Sequence, residues 1–248
     1  MTLEGRVALV TGASGAGMGR SIALTLARDG ADIGLNFHRS DAGLDETVRA
    51  IESMGRRALR VQGDIGDAID AQRMATAVEE ALGGIDILIN NAGGPWKPQD
   101  VTEIEPEHLR RVIGLEIESV YYLLRCVLPG MRARGWGRVV SIGGHMADDW
   151  RYGPPEAPLD YPLGKAARHW LTRTLAPREL PQGITINAVA PGPTRRFTFE
   201  EALAALERAP SGDGNTPQHI AEVIAFFCSD AAARVSGAIV PVPGDRPV

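Results

Sequence analysis

The chain has 248 residues, of which 44% are hydrophobic and 23% are charged, and its formal net charge is −5. This acidic balance excludes the broad basic surface that nucleic-acid binding needs, and no apolar run is long enough to cross a bilayer. The chain begins MTLEGRVALVTG, without a basic stretch followed by an apolar one. We therefore expect a cytoplasmic protein whose partner is a small-molecule substrate, with no nucleic-acid or membrane partner.

Apolar strand-like runs alternate with amphipathic stretches along the whole chain. In chain order, we predict strands over residues 6–12, 32–38, 58–64, 85–93, 137–144, 184–192 and 237–244. Between them, we predict helices over residues 19–31, 44–55, 70–84, 106–135, 163–180 and 216–230, the last with Thr216 as N-cap and Pro217 at its first position. The alternation predicts an α/β fold: a single doubly wound, Rossmann-type domain over residues 1–248, with a seven-stranded parallel sheet covered on both faces.

Two irregular stretches are longer than ordinary connections. One spans residues 146–160 and is rich in Pro, Gly and acidic residues; the other spans residues 195–215 and contains a short helical segment, FEEALAALERA. Ligands of doubly wound sheets bind at the carboxyl ends of the strands, and both stretches leave such ends. We expect both to border a ligand site.

The two cysteines, Cys126 and Cys228, lie in apolar helical runs. This setting favours buried free thiols over a disulfide or a metal site. We expect no metal site in this chain.

The turn after the first strand reads TGASGAGMGRS. Glycines allow a tight turn in which backbone N–H groups approach a phosphate, and the following helix N-terminus adds a positive dipole end. A glycine-rich turn alone is weak evidence, but this one lies between the first strand and the first helix of a βαβ unit. It predicts nucleotide binding through Gly12, Ser14, Gly17, Met18 and Gly19.

The second strand ends in NFHRS, with no acidic residue at its tip. An acidic residue there would hydrogen-bond the ribose 2′-OH of NAD, whereas His38, Arg39 and Ser40 suit a 2′-phosphate. This favours NADP(H) over NAD(H). Asp41 lies just beyond and keeps NAD(H) open, and Arg39 as a solvated loop charge is the alternative.

At this point the chain resembles the short-chain dehydrogenase/reductase family over nearly its whole length, in particular members similar to 3-oxoacyl-acyl carrier protein reductases. The resemblance depends on five segments in the order typical of the family: TGASGAGMG (11–19), GD with Asp64, NNAG (90–93), YPLGK (161–165) and NAVAPGPT (187–194). The glycine turn is one residue longer than is usual, so we predict a bulge near residues 15–17.

The resemblance implies a role for each matching residue. Further cofactor contacts would come from Asp64, Ile65, Asn91, Ala92, Gly93, Pro191, Gly192 and Thr194, although Asp64 could serve only as a helix cap and Asn91 only as a turn residue. Tyr161 and Lys165 would also touch the nicotinamide end. Family members usually form dimers or tetramers, so we expect a homotetramer or homodimer. Apolar contacts could come from Val120, Tyr121, Leu124, Val127, Leu128 and Trp170, although such a stripe is also typical of the protein core.

Tyr161 and Lys165 lie at positions i and i+4 of a predicted helix and hence on one face. A neighbouring ammonium would stabilise the phenolate and lower the pKa of Tyr161. Tyr161 would then exchange a proton with a substrate oxygen during hydride transfer to or from the nicotinamide. We predict these two residues as the catalytic pair.

Two positions depart from the family pattern. Gly144 stands where the family usually has a catalytic Ser, and by strand alternation Ser141 points to the opposite face. Glu116 stands where the family usually has an Asn, and if it faces inward it would pair with Lys165. If the helical register differs, Glu116 would lie on the surface and Glu118 would be the candidate instead. His145 is a candidate for the missing donor, with an exposed loop histidine as the alternative, and Asp148, Asp149 and Tyr152 are further candidates to fold over the site.

Two functional hypotheses follow. The first is an NADP(H)-dependent oxidoreductase acting on a carbonyl/alcohol pair, or on an imine or activated C=C bond, with Tyr161 as the acid/base. The acidic residues Asp148, Asp149, Glu156 and Glu116 would suit a cationic or amine-bearing substrate. The second is a nucleotide-binding protein with little redox activity, which the missing Ser and Asn favour and the retained Tyr161 and Lys165 oppose.

Overall fold

The computed structural model describes residues 2–40, 43–95, 97, 99–145, 147, 158–208 and 214–244. The loop residues Asp148, Asp149, Tyr152 and Glu156, which were considered above as parts of the site, lie outside the described residues.

Seven parallel strands form one sheet, as the alternating pattern predicts. They are β1 (Val7–Val10), β2 (Asp32–Phe37), β3 (Ala58–Gln62), β4 (Ile87–Asn90), β5 (Gly137–Ile142), β6 (Ile184–Pro191) and β7 (Ile239–Val242). The order across the sheet is β3-β2-β1-β4-β5-β6-β7. The order reverses between β1 and β4, where Val10 pairs with Ile89, so a ligand crevice opens at the carboxyl ends of these two strands.

Helices cover both faces of the sheet and bury two apolar layers. They are α1 (Met18–Arg28), α2 (Leu44–Ser53), α3 (Ala68–Leu82), α4 (Pro106–Ile113), α5 (Ser119–Arg134), α6 (Asp160–Glu179), α7 (Phe199–Glu207) and α8 (Pro217–Cys228). The first layer contains side chains of α1, α2, α7 and α8, and the second contains side chains of α3, α5 and α6. The fold is therefore a single doubly wound α/β domain, as predicted.

The predicted helix over residues 106–135 is interrupted by a π-helical segment, Gly114–Glu118, which we call the π turn. A π turn widens the helix and breaks the i→i+4 ladder, and such turns are frequent at functional sites. Helix α5 then ends at Gly135, which adopts φ 64°. The prediction missed the π turn because it leaves the apolar pattern almost unchanged.

Two other boundaries bear on the site. Helix α6 begins at Asp160, three residues before the predicted start at residue 163. Tyr161 therefore lies in its first turn. Helix α8 begins as predicted, with Thr216 as N-cap accepting from the His219 backbone N–H and Pro217 at the first position.

Both cysteine thiols are free; Cys228 is buried, whereas Cys126 is only partly so. Across the described ranges, the helices are too short or too polar to cross a membrane.

Candidate active site

The turn after β1 is tied to the end of β4 by a compact set of hydrogen bonds. The Thr11 hydroxyl donates to the Ile89 carbonyl and accepts from the backbone N–H groups of Asn91 and Ala92. The Asn91 amide in turn donates to the carbonyl oxygens of Thr11 and Gly12. These bonds fix the floor of the crevice, because they join the two strands between which it opens.

The glycines of this turn fall into two groups. A Cβ on Gly19 would overlap the Gly12 carbonyl, so Gly19 is needed for close packing between turn and helix. A Cβ on Gly15 or Gly17 would meet nothing within 4 Å among the described atoms, so both face open space at the N-terminus of α1. A pyrophosphate fits this arrangement, because the open space lies at a helix N-terminus, which favours an anion.

The extra residue of the turn has a partner in the loop after β6. Gly15 adopts φ 79°, and the carbonyl of Ala16 accepts from the Phe197 N–H at 3.2 Å. The longer turn thus reaches the segment that leads into α7, a contact that residue spacing alone does not indicate.

A cavity of about 470 Å³ lies at the tips of β2 and β3. Its lining includes His38, Arg39, Asp70 and Arg73. The Asp70 carboxylate pairs with Arg73 at 2.6 Å, whereas the described residues place no carboxylate within 4.0 Å of the exposed Arg39 guanidinium. The neighbouring Ser40 is also exposed. Arg39 therefore offers a charge for an anionic group at this end of the crevice.

A second cavity of about 160 Å³ continues along the crevice. It brings together the predicted residues Gly12, His38, Asp64, Ile65, Ala92 and Gly93, and adds Arg111 and Leu115, which sequence reasoning missed. Burial alone would raise the pKa of Asp64, but a hydrogen bond from Arg111 at 2.7 Å and another from the Gly66 N–H lower it overall. Asp64 is thus a fixed negative charge that Arg111, from α4, holds in place.

The carboxyl end of β6 lies beside that of β5. The His145 N–H donates to the Pro191 carbonyl, and the Gly192 N–H donates to the Val242 carbonyl. The Thr194 hydroxyl donates to the Gly192 carbonyl at 2.9 Å. The predicted nicotinamide-end residues Pro191, Gly192 and Thr194 therefore form one turn next to the end of β5.

Tyr161 and Lys165 lie on the first two turns of α6, with the Lys165 Nζ 5.1 Å from the Tyr161 ring centroid. Burial, reinforced by Glu116 and opposed by Arg168, raises the pKa of Tyr161 to about 12. The prediction that the pKa of Tyr161 is lowered is therefore wrong, because burial raises it. The Lys165 ammonium donates to the Ile142 carbonyl at 3.3 Å, and burial together with Arg168 lowers its pKa to about 8.

Glu116, and not the exposed Glu118, points into the site from the π turn. It is fully buried; its Oε2 lies 3.1 Å from the Lys165 Nζ and 2.8 Å from the Arg168 Nε. Its Oε1 accepts from the Gly94 N–H at 2.6 Å. The carboxylate thus joins α6 to the loop after β4.

The end of β5 leaves little room for the missing serine. A Cβ on Gly144 would lie 3.1 Å from the Lys165 Cβ and Cγ, and a Cβ on Gly143 would overlap the His169 Nε2. The buried His169 imidazole fills this space and accepts from the Gly144 N–H at 3.3 Å. Ser141 is no substitute, since its hydroxyl accepts from the Asn90 amide within the sheet at 3.4 Å.

His145 is half-buried directly after Gly144. Its Nε2 is buried and has no hydrogen-bond partner among the described residues. Its role as a donor to a substrate oxygen stays a prediction.

Sequence reasoning missed Arg168 and His169, which follow Lys165 in α6. The available signal was helical spacing, because a residue three positions after Lys165 shares its face of the helix. What the spacing does not show is that both side chains are buried, at 0% and 2% exposure, in positions where core packing normally calls for apolar residues.

Residues 12–244 match the family model described as enoyl-(acyl carrier protein) reductase. The chain is 32% identical to the 3-oxoacyl-[acyl-carrier-protein] reductase of Pseudomonas aeruginosa, with 98% of each chain covered. The chain belongs to the short-chain dehydrogenase/reductase family. It is an oxidoreductase of that family, and the comparisons do not favour the alternative of a binding protein with little redox activity.

Two further members of the short-chain dehydrogenase/reductase family are similar over comparable lengths. The L-rhamnose 1-dehydrogenase (NAD(P)+) of a Sphingomonas species is 32% identical, with 98% of this chain and 96% of the relative covered. The solved structure of a candidate short-chain alcohol dehydrogenase from Sinorhizobium meliloti superposes with a TM-score of 0.84 at 32% identity, covering 98% of this chain and 96% of the other. The whole domain thus follows the family fold.

Proposed function

We propose that this protein is an NADP(H)-dependent oxidoreductase that interconverts a carbonyl and an alcohol, with Tyr161 as general acid/base and Lys165 as its electrostatic partner. The observation that carries the proposal is the juxtaposition of Tyr161 and Lys165 with the ends of β5 and β6, in the crevice that the glycine turn begins. A proton donor and a nucleotide cradle then serve one reacting centre.

The crevice suits a dinucleotide along its length. The open turn around Gly15 and Gly17 would hold the pyrophosphate, Asp64 and Ile65 would border the adenine, and the turn of Pro191, Gly192 and Thr194 would border the nicotinamide. Asn91, Ala92 and Gly93 would support this floor. When bound, the cofactor supplies or accepts a hydride.

The proton given to the substrate oxygen would come from the Tyr161 hydroxyl. With its pKa raised to about 12, Tyr161 is protonated at neutral pH and able to donate to a substrate oxygen. The resulting phenolate would be stabilised by the Lys165 ammonium across the 5.1 Å between Nζ and the ring. Because Gly144 offers no hydroxyl, polarisation of the substrate oxygen would depend on Tyr161 and on groups such as His145.

NADP(H) preference is supported by the tip of β2. Arg39 lines a cavity where NAD specificity would call for an acidic residue, and it has no carboxylate partner in the described part of the chain; the next residue, Ser40, is exposed. The relative named L-rhamnose 1-dehydrogenase is described with NAD(P)+, so family membership alone does not choose between the two cofactors.

The substrate class that the relatives favour is a carbonyl/alcohol pair. The names of two relatives describe one reductase of 3-oxoacyl groups and one dehydrogenase of a sugar, both carbonyl/alcohol chemistry. Glu116 gives no support to an amine-bearing substrate, since its charge is met by Lys165 and Arg168. An imine or an activated C=C bond stays a second candidate, since such substrates do not need the hydroxyl that Gly144 lacks and the matching family model is described as an enoyl reductase.

The test is oxidation of NADPH and NADH over a panel of ketones, imines and enones, with Tyr161→Phe beside the wild type and Tyr121→Phe, on the exposed face of α5, as control. We expect NADPH to be oxidised with ketones and Tyr161→Phe to lose about 10²–10⁴-fold in kcat with little change in cofactor Kd. Cofactor binding without turnover of any substrate would contradict the proposal.

A further inference from the structure

Arg168 is a fully buried arginine whose donors all point at backbone carbonyls of the site. Its guanidinium reaches three parts of the fold. It donates to the carbonyl oxygens of Asn90 and Ala92 at the end of β4, Leu115 and Glu116 in the π turn, and Ile142 at the end of β5, at distances of 2.6–3.2 Å. One side chain therefore binds the three segments that surround Lys165.

The π turn explains why such a donor is required. A π turn interrupts the helical hydrogen-bond ladder and leaves carbonyl groups short of partners. Arg168 donates to two carbonyls of this π turn, those of Leu115 and Glu116, and the Ser119 hydroxyl also donates to that of Leu115. Buried carbonyls without partners are costly, so Arg168 and the π turn stabilise each other.

The same guanidinium carries the charge that balances Glu116. The Glu116 Oε2 lies 2.8 Å from the Arg168 Nε and 3.1 Å from the Lys165 Nζ. Two glycines leave space for this glutamate: a Cβ on Gly164 would lie 2.5 Å from the Glu116 Cβ, and one on Gly93 would overlap its carboxylate. Burying three charges is unfavourable unless they pair, so the cluster is one unit.

We propose that Arg168 is a positioning residue of the active site, which fixes the backbone around Lys165 and shares the Glu116 carboxylate with the Lys165 ammonium. This inference depends on the proposed function, in which Lys165 assists Tyr161. Arg168 acts through Glu116 and the backbone, and it is not assigned a contact with substrate.

The charges around Lys165 allow a directional test. Among the described residues, the π turn contributes Glu116, α6 contributes Tyr161 and Arg168, and β5 contributes the Ile142 carbonyl. Farther along α6, His169 contacts the end of β5, and at its start Asp160 lies 3.1 Å from His108 of α4. Removing the cation of Arg168 should raise the pKa of Lys165, whereas removing the anion of Glu116 should lower it.

Lysine NMR measures this pKa without any substrate, because Lys97 and Lys165 are the two lysines of the sequence. Lys97→Arg assigns the two ¹³Cε signals. For Arg168→Met we expect the Lys165 pKa to rise by about one unit or more, and for Glu116→Gln to fall by a similar amount. Arg168→Lys keeps the charge and should leave it near the wild-type value. Arg173→Met, on the exposed side of α6, is the matched control and should change nothing.

The activity profile gives the second readout. In the reduction direction, the Lys165 ammonium is needed to stabilise the Tyr161 phenolate, so kcat/KM should fall as pH rises through the Lys165 pKa, about 8. The alkaline limb should move up in Arg168→Met and down in Glu116→Gln. A purely structural role would lower the rate in both variants without opposite shifts.

Three outcomes are informative. Opposite shifts of the Lys165 pKa in Arg168→Met and Glu116→Gln support the positioning role even if no substrate turns over. Failure of the proposed function is thus distinguishable from failure of this inference. Equal or absent shifts in folded variants overturn it. If Arg168→Met does not fold, Glu116→Gln and Arg168→Lys provide the test. A lower Lys165 pKa in Glu116→Gln, together with an unchanged Lys165 pKa and a reduced kcat in Arg168→Lys, supports the positioning role. Any other pattern in these two variants overturns it.

Discussion

The His169 imidazole fills the space beside the end of β5 where a side chain at position 143 would lie. The Gly143 Cβ position overlaps the His169 Nε2, which accepts from the Gly144 N–H at 3.3 Å. Gly144 packs directly on the stem of Lys165, with 3.1 Å between its Cβ position and the Lys165 Cβ. At the residue scale, therefore, the glycines that replace the family serine are matched by larger polar groups on α6.

Gly143→Ala should destabilise the protein by about 1–3 kcal/mol, because the new methyl group overlaps the buried His169 ring. Urea unfolding measures this cost, and Gly130→Ala in α5 is the control, since its added methyl meets only the flexible end of Arg134 at 3.1 Å. In a His169→Ala background the cost of Gly143→Ala should fall to about 0.5 kcal/mol or less. Additive effects of the two changes would show that the ring is not the cause.

At the element scale, two irregularities place the charges of the site. The π turn between α4 and α5 turns Glu116 inward and leaves Glu118 exposed. The tip of β2 places Arg39 in the lining of a cavity of about 470 Å³ that lies at the far end of the same crevice. The first feature serves the proposed chemical step, and the second serves the proposed choice of cofactor.

Arg39→Ala should raise the KM for NADPH by about 10–100-fold, because one hydrogen-bonded ion pair to a phosphate contributes roughly 1.5–3 kcal/mol. The KM for NADH should change little, since NADH has no 2′-phosphate. Steady-state kinetics with both cofactors measures the ratio, with Arg49→Ala on the exposed side of α2 as the control for removal of a surface charge. A parallel rise for both cofactors would show that Arg39 does not read the phosphate.

At the scale of the whole molecule, the two apolar layers leave one face of α5 and α6 only partly covered. Val120, Leu124, Val127 and Leu128 are not available to a partner, because they are buried within the second layer. Tyr121 and Trp170, in contrast, are 57% and 64% exposed. Such aromatic side chains are typical of interface cores, so they keep the expectation of a homotetramer or homodimer.

The double substitution Tyr121→Glu with Trp170→Glu should reduce the mass of the assembly measured by light scattering, because it places charges at the centre of the expected contact. Ile69→Glu, on α3 at a site 80% exposed, is the control and should leave the mass unchanged. A wild-type monomer, or an unchanged mass in the double variant, would contradict an interface at this face.

The amino-acid sequence by itself determined the fold class, the glycine turn and the pair of Tyr161 and Lys165. These features follow from local patterns: strand and helix periodicity, turn glycines, and two residues one helical turn apart. The position of Glu116 was anticipated only as one of two registers, because the π turn that decides it does not alter the apolar pattern.

Only the tertiary structure decided how these parts act on one another. Arg168 and Glu116 are 52 positions apart, and His169 and Gly144 are 25 apart, so no local pattern relates them. The raised pKa of Tyr161 is equally a tertiary property, since it arises from burial and from Glu116 on another segment. Local periodicity determines which elements form, whereas burial and charge pairing between remote segments determine what their side chains do.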